Sequence, residues 1–492
     1  MNPPEPVWMS AVELIDAYRR KSLSPVEVVR AVLARIDALN PALNCYCLVD
    51  HASALRDAAA SEARWIDGEP CGPLDGVPVS IKDLILTKGW PTLRGSRTVD
   101  PAGPWDADAP STARLREAGA VLLGKTTTPE FGWRGSTDSP LTGITRNPWH
   151  LDRTPGGSSG GATAAIAAGL GALAVGTDGG GSVRIPAAFT GTVGLKAQFG
   201  RVPAYPLSPM GDVAHIGPQT RTVADAALML RVLAQPDLRD WTALPQVQRD
   251  WSQDAAAGAR EGGVRGLRIA CSPRLGHVPW VDPRIEAALD EAAARLAELG
   301  AVVEREDPPM PDVSHAFRVH WFSRARHMLR ALSPEEFALL DPGLQRVVRH
   351  AERFDLADYL DAQATRARAA HAMATFLQRY DLLLTPATAV LPFEVGRYSP
   401  ERPGGAAAQA EVPDDEHKGS FDWTWWTPFS YPFNLTQQPA IVLCCGFSDE
   451  GLPIAMQLVA PPHREDLCLR AAAAYEAATR WHARRAPCAP RA

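Results

Sequence analysis

Two glycine-serine runs, Thr154-Pro-Gly-Gly-Ser-Ser-Gly-Gly161 and Gly176-Thr-Asp-Gly-Gly-Gly-Ser182-Val-Arg-Ile-Pro186, constrain this chain more than any other feature. The Ala-rich stretch between them predicts a helix over 160–169 and a strand over 172–177, so both runs fall at turns of one helix-strand unit. Glycine admits backbone conformations that aim successive N–H groups into one concavity, where they can hold an anion or a developing oxyanion. A serine in such a cradle can be a nucleophile. A pair of flexible turns is the plainer reading of either run alone.

The rest of the chain continues the alternation of helix and strand. Capping boxes at Ser10 with Glu13 and Ser24 with Glu27, the second with Pro25 at the first helical position, open two helices. A helix is predicted over 52–65, and others near 108–118, 222–234, 283–299 and 464–480. Strands are predicted over 76–83, 120–125, 267–272, 382–386, 440–445 and 454–459. This order predicts an α/β fold in which a single large domain builds a mixed central β-sheet covered by helices on both faces. Within residues 1–492, the segments read as N-terminal helices (1–65), a catalytic core (66–235), a connector (236–266), a helical and loop elaboration (267–420) and a C-terminal return to the core (421–492). The stretch 394–420 reads as a surface loop.

Several function classes are excluded. Fifty basic against fifty-six acidic residues leave a formal charge of −6, the wrong sign for attraction to a phosphate backbone, so no nucleic-acid partner is expected. The N-terminus lacks a basic leader, and Gly161–Gly176 is too short and too rich in Ala and Gly to span a bilayer, which predicts a cytoplasmic protein without a membrane partner. Eight cysteines without C-x-x-C spacing read as reduced, packed thiols. With no H-E-x-x-H, and with His315, His320 and His327 badly spaced for a ligand set, no metal and no cofactor are expected. Gly119-Ala-Val-Leu-Leu-Gly-Lys125-Thr126 matches the letters of a P-loop NTPase. Its middle residues are those of a strand, whereas a phosphate cradle needs a flexible loop before a helix, so a P-loop NTPase is kept only as a remote alternative.

A serine nucleophile needs a base. Gly156-x-Ser158-x-Gly160 has the spacing of a nucleophile elbow, yet no histidine has a supporting context. Lys82 offers an alternative, because a lysine placed among Val79 and Ile81 of a strand can lose its charge to burial and accept a proton.

These residues together resemble the amidase signature family of serine hydrolases. The resemblance rests on Gly156–Gly161, Gly176–Phe189, Gly191-Thr-Val-Gly-Leu-Lys196 and Val77-Pro-Val-Ser-Ile-Lys-Asp83, and extends through Asn147-Pro148, Gly200–Pro203, Gly217-Pro218, Tyr431–Thr436 and Gly451–Pro453. It implies a Ser-cisSer-Lys triad, with Ser182 as nucleophile, Ser158 as proton relay and Lys82 as base. It further implies an oxyanion hole from the N–H groups of Gly179, Gly180, Gly181 and Ser182, and cleavage of a small amide substrate through an acyl-enzyme. Asp178 and Arg184 are read as an ion pair that stiffens this loop. Phe131, Trp133, Phe189, Met210, Trp423, Trp425, Trp426 and Tyr431 are candidates for a pocket wall suited to an aryl amide, anilide or carbamate, about half of them in contact with substrate. The rival within the family is the glutamine-hydrolysing subunit of a tRNA-dependent amidotransferase. Ala214-His215 stands where that subfamily implies Asp-Gln before Ile-Gly-Pro218. A homodimer is compatible with the sequence.

Overall fold

The strands close into one eleven-stranded sheet in the order Tyr46–Val49, Val121–Thr126, Pro78–Lys82, Leu173–Asp178, His215–Thr220, Val193–Lys196, Ala440–Phe447, Pro453–Val459, Leu382–Pro386, Arg268–Cys271 and Val302–Arg305. The computed structural model describes residues 5–402 and 418–488, so most of the surface loop expected over 394–420 lies outside the described residues. Pairing is parallel around Pro78–Lys82 and around Arg268–Cys271 and antiparallel elsewhere, which makes the sheet mixed. One apolar core runs along it, with helices on both faces. The chain is thus a single α/β domain built on a large mixed sheet.

Local signals placed most elements. Both capping boxes form, at Ser10 with Glu13 and Ser24 with Glu27, and Val28, Val29, Val32, Leu33 and Ile36 bury the stripe of the second helix. Four strands carry no such signal. His215–Thr220 contains Gly217-Pro218, which reads as a turn, yet it pairs along its whole length with Leu173–Asp178. Pro218 is tolerated because the opposite neighbour, Val193–Lys196, pairs only with Gln219 and Thr220 and so asks nothing of the missing N–H. The segment expected as a connector contains a helix, Trp251–Gly258, that packs on Glu465–Thr479. Of the eight cysteines, all unpaired, Cys45, Cys271, Cys444, Cys445 and Cys468 are buried, whereas Cys47 and Cys71 are exposed.

The P-loop letters lie in a strand. Val121–Thr126 is buried throughout, Gly124 abuts the Leu48 carbonyl of the neighbouring strand, and a short 3-10 turn at Glu130–Gly132 follows instead of a helix. Among the described residues no helix is long and apolar enough to cross a membrane.

Candidate active site

Parallel pairing brings the candidate residues together. Pro78–Lys82 and Leu173–Asp178 run side by side, with Ile81 opposite Val175, so Lys82, Thr177 and Asp178 end their strands at one edge of the sheet. The Gly160–Ala167 helix packs on the Leu173–Asp178 strand, and the turn at its start brings Ser158 and Ser159 to that edge. In an open α/β sheet this carboxyl edge is where ligands bind. The Gly157–Ser158 peptide is cis.

Lys82 Nζ lies within hydrogen-bond distance of Ser158 Oγ at 2.7 Å, Ser159 Oγ at 2.8 Å and Thr177 Oγ1 at 2.9 Å. Burial holds this amine well below the ordinary range of a lysine, with the Asp178 carboxylate pulling weakly the other way. An amine whose pKa is lowered in this way, surrounded by three hydroxyls, can take up a proton and give it back. Ser159 and Thr177 were not anticipated as its anchors. The signal for Ser159 was its place in the same Gly-Ser-Ser-Gly run, and Thr177 precedes the aspartate of the second run. The Ser159 N–H also donates to the Ser182 carbonyl at 3.2 Å, which joins the two turns.

The second turn is braced by a buried ion pair, as its residue types suggested. Arg184 Nε and Nη2 donate to Asp178 at 2.9 and 3.0 Å, and Asn434 Nδ2 donates to Asp178 Oδ1 at 2.8 Å. Burial alone would raise the Asp178 carboxyl, but the Arg184 guanidinium and these hydrogen bonds outweigh it and keep it well below the usual carboxylate range. Asn434 also accepts from Arg184 at 2.7 Å, which gives the Tyr431–Thr436 motif a place in the same brace. One oxyanion expectation needs correction. The Gly181 N–H donates to Asp178 Oδ1 at 2.8 Å, so it is committed to the loop and does not face a substrate. Gly181 itself has φ 123°, and a Cβ there would run into Ser430. A Cβ at Gly179 would meet the Trp321 ring at 2.7 Å.

Ser158, Thr177, Gly179 and Ser182 open onto a cavity of about 450 Å³. Phe131 and Met210 line it, and the other aromatic candidates do not. Trp133 is packed against Tyr398, Phe189 stacks on Trp426, Tyr431 stacks on Phe317, and Trp423 meets Phe317 and Trp321 edge-on. Trp425 is half-buried outside the cavity, beneath Arg402. These side chains build the core behind the wall, where large apolar area is worth most. The rest of the wall is made by Leu84 and Arg94, the 204–209 segment, Trp321 and Met328, none of which carried a motif.

In the cavity wall, His215 Nδ1 hydrogen-bonds to the Val213 carbonyl at 2.9 Å while its Nε2 lies 3.3 Å from Lys196 Nζ. Burial pushes both groups well below their ordinary values. Among the described residues no group of three His, Cys, Asp or Glu side chains is placed to hold a metal ion.

A family model described as Amidase matches residues 27–469. The chain is similar to an acylamidase of Rhodococcus erythropolis, 38% identical over 485 residues that cover 96% of each chain. It is also similar to a glutamyl-tRNA(Gln) amidotransferase subunit of Geotalea daltonii, 35% identical over 502 residues covering 96% of this chain and 98% of the relative. Among solved structures, a bacterial aryl acylamidase of the amidase signature enzymes superposes with a TM-score of 0.86 and 32% identity, covering 97% of this chain and 98% of that one.

Proposed function

The chain belongs to the amidase signature family and is an amide-hydrolysing enzyme, and from that premise we propose that Ser182 attacks an amide with an apolar or aromatic group while Lys82, acting through Ser158, removes its proton. The observation that carries this reading is the 2.7 Å hydrogen bond between the buried Lys82 Nζ, whose pKa burial lowers, and Ser158 Oγ beside the cavity. A hydroxyl can accept one proton while donating another, so Ser158 passes the proton of Ser182 to Lys82 as the Ser182 oxygen adds to the acyl carbon. The tetrahedral oxyanion falls to the N–H groups of Gly179, Gly180 and Ser182, whose loop is held by Asp178 and Arg184. The lysine ammonium returns its proton through Ser158 to the departing amine, and the C–N bond breaks. Water then adds to the acyl-enzyme with the same base, and the ester bond to Ser182 breaks to release the acid.

The mostly apolar wall and the likeness to an acylamidase and an aryl acylamidase support anilides and aryl amides as the substrate class. The test is a panel of aliphatic amides, anilides, aryl carbamates and esters run against the wild type and Ser182→Ala. Anilide turnover that disappears in the variant, with a Ser182-linked acyl group seen by mass spectrometry, is the expected result. Turnover that survives Ser182→Ala refutes the assignment. A second reading, glutamine hydrolysis for a tRNA-dependent amidotransferase, draws on the 35% likeness to the Geotalea daltonii protein. Ala214-His215 and the apolar wall favour the first, and a glutaminase rate exceeding every anilide rate would reverse that order.

A further inference from the structure

Two residues of the cavity wall adopt a backbone conformation that is sterically costly for any side chain, and each is followed by a glycine in the same conformation. Arg94 and Gly95 have φ 58° and 64°, and Phe131 and Gly132 have φ 51° and 71°. The two turns are tied together, since the Phe131 N–H donates to the Arg94 carbonyl at 2.8 Å. A Cβ at Gly95 would meet the Thr128 carbonyl at 2.7 Å, and one at Gly132 would meet Leu84 at 2.8 Å, so neither turn has room to relax. This paired arrangement sets both Arg94 and Phe131 in the wall of the cavity that holds Ser158 and Ser182.

Half-buried Arg94 differs from several fully buried arginines that have carboxylate partners. Arg134 is paired with Asp138 and Asp341, Arg184 with Asp178, and Arg201 with Glu465. Among the described residues the half-buried guanidinium of Arg94 has no hydrogen bond and no ion pair within 4.0 Å. Asp83 attracts it from a distance, but that carboxylate also lies 3.7 Å from Lys125 Nζ and accepts the Gly95 N–H at 3.4 Å. Among the described residues no Asp or Glu lines the cavity, whereas His327 and Arg330 stand exposed at its rim. A half-buried guanidinium that faces a cavity without a partner has donors to spare, and a planar carboxylate is the group that best satisfies its fork of donors.

We infer that the substrate is an amide whose apolar body carries a carboxylate, and that Arg94 receives this carboxylate inside the catalytic cavity. The inference rests on the reading of that cavity as the amide site. Two matched pairs of probes test it: succinyl against 4-methylpentanoyl 4-nitroanilide, with the charge on the acyl side, and 4-acetamidobenzoate against acetanilide, with the charge on the amine side. In the wild type the anionic member of one pair should have a kcat/KM about 10-fold or more above its neutral partner, chiefly through KM. Arg94→Gln should cut that ratio by about 10- to 100-fold, in line with the strength of a charge-assisted hydrogen bond. Arg94→Lys should retain more of the ratio, and it decides the matter if the Gln variant does not fold. Neutral members preferred in both pairs, or a preference that survives Arg94→Gln, overturns the inference. Calorimetric binding of the same four compounds to Ser182→Ala, with and without Arg94→Gln, separates the two readings. Arg94-dependent binding of the anions without wild-type turnover refutes the reading of this cavity as the amide site and upholds the anion site. Turnover of the neutral anilides without any Arg94-dependent selectivity does the reverse.

Discussion

Lys82 and Lys125 lie on neighbouring parallel strands, both fully buried and both held below the ordinary lysine range by burial, Lys125 at about 8. Register separates them. Lys125 lies opposite Ile81 and Lys82 opposite Thr126, so by the alternation of a strand the two amines leave opposite faces of the sheet. Lys82 meets three hydroxyls. Lys125 meets the Ile85 carbonyl at 2.6 Å, the Thr92 hydroxyl at 2.8 Å and, at 3.7 Å, the Asp83 carboxylate. Burial makes each amine easier to deprotonate, but only the partners decide whether that is useful. A serine hydroxyl that opens onto a cavity can pass a proton onward, whereas a backbone carbonyl can only accept.

The contrast can be broken by substitution. Ser182→Ala carries the largest expected effect, a loss of more than about 10³-fold in kcat without loss of fold, read from steady-state rates and circular dichroism. Lys82→Met should follow, with a loss of about 10²- to 10⁴-fold, the range of a general base. The wild-type kcat/KM should rise with pH, because the uncharged amine is the active form, and should level off well below the 10.5 of a free lysine side chain. A profile flat from acid to alkaline pH, with chemistry rate-limiting, would contradict a lysine base. Ser159→Ala removes one anchor of Lys82 and should lower kcat by about 10-fold while shifting that pH limb, a change that a merely structural role would not produce.

Lys125→Met should have the smallest catalytic effect, under about 3-fold in kcat, because its amine faces the opposite side of the sheet. Its signature is in stability. Between about 8 and 10.5 the unfolded chain holds a proton that the folded Lys125 has lost, so this residue makes the wild type more stable as pH rises through that window. Denaturant midpoints measured across it should climb in the wild type by more than in Lys125→Met. Equal slopes would show that burial of Lys125 carries no such cost.

The legible part of the site was the part built from local backbone demands. Gly181 stands where φ is 123° and Ser430 leaves no room for a side chain, and such requirements appear in the sequence as glycine. The Asp178–Arg184 pair was legible because both partners lie within one turn. The wall was not. Aromatic character singled out Trp133, Phe189 and Trp426, but residue type does not say which way a side chain faces, and their rings went into the core. Arg94 was invisible because its interest lies in a missing partner and a left-handed backbone, neither of which is a pattern of letters.

What the sequence determined by itself was therefore the two glycine turns, the lysine-bearing strand and the helix-strand order, since each depends on neighbours a few residues away. Tertiary structure alone decided which of two buried lysines meets the serines, which N–H of the loop is spent on Asp178, and which side chains wall the cavity. These outcomes depend on strand register and on contacts between segments as distant as Arg94, Met210 and Trp321. A one-residue change of register would turn every side chain of a strand to its other face, so no local pattern could have carried that information.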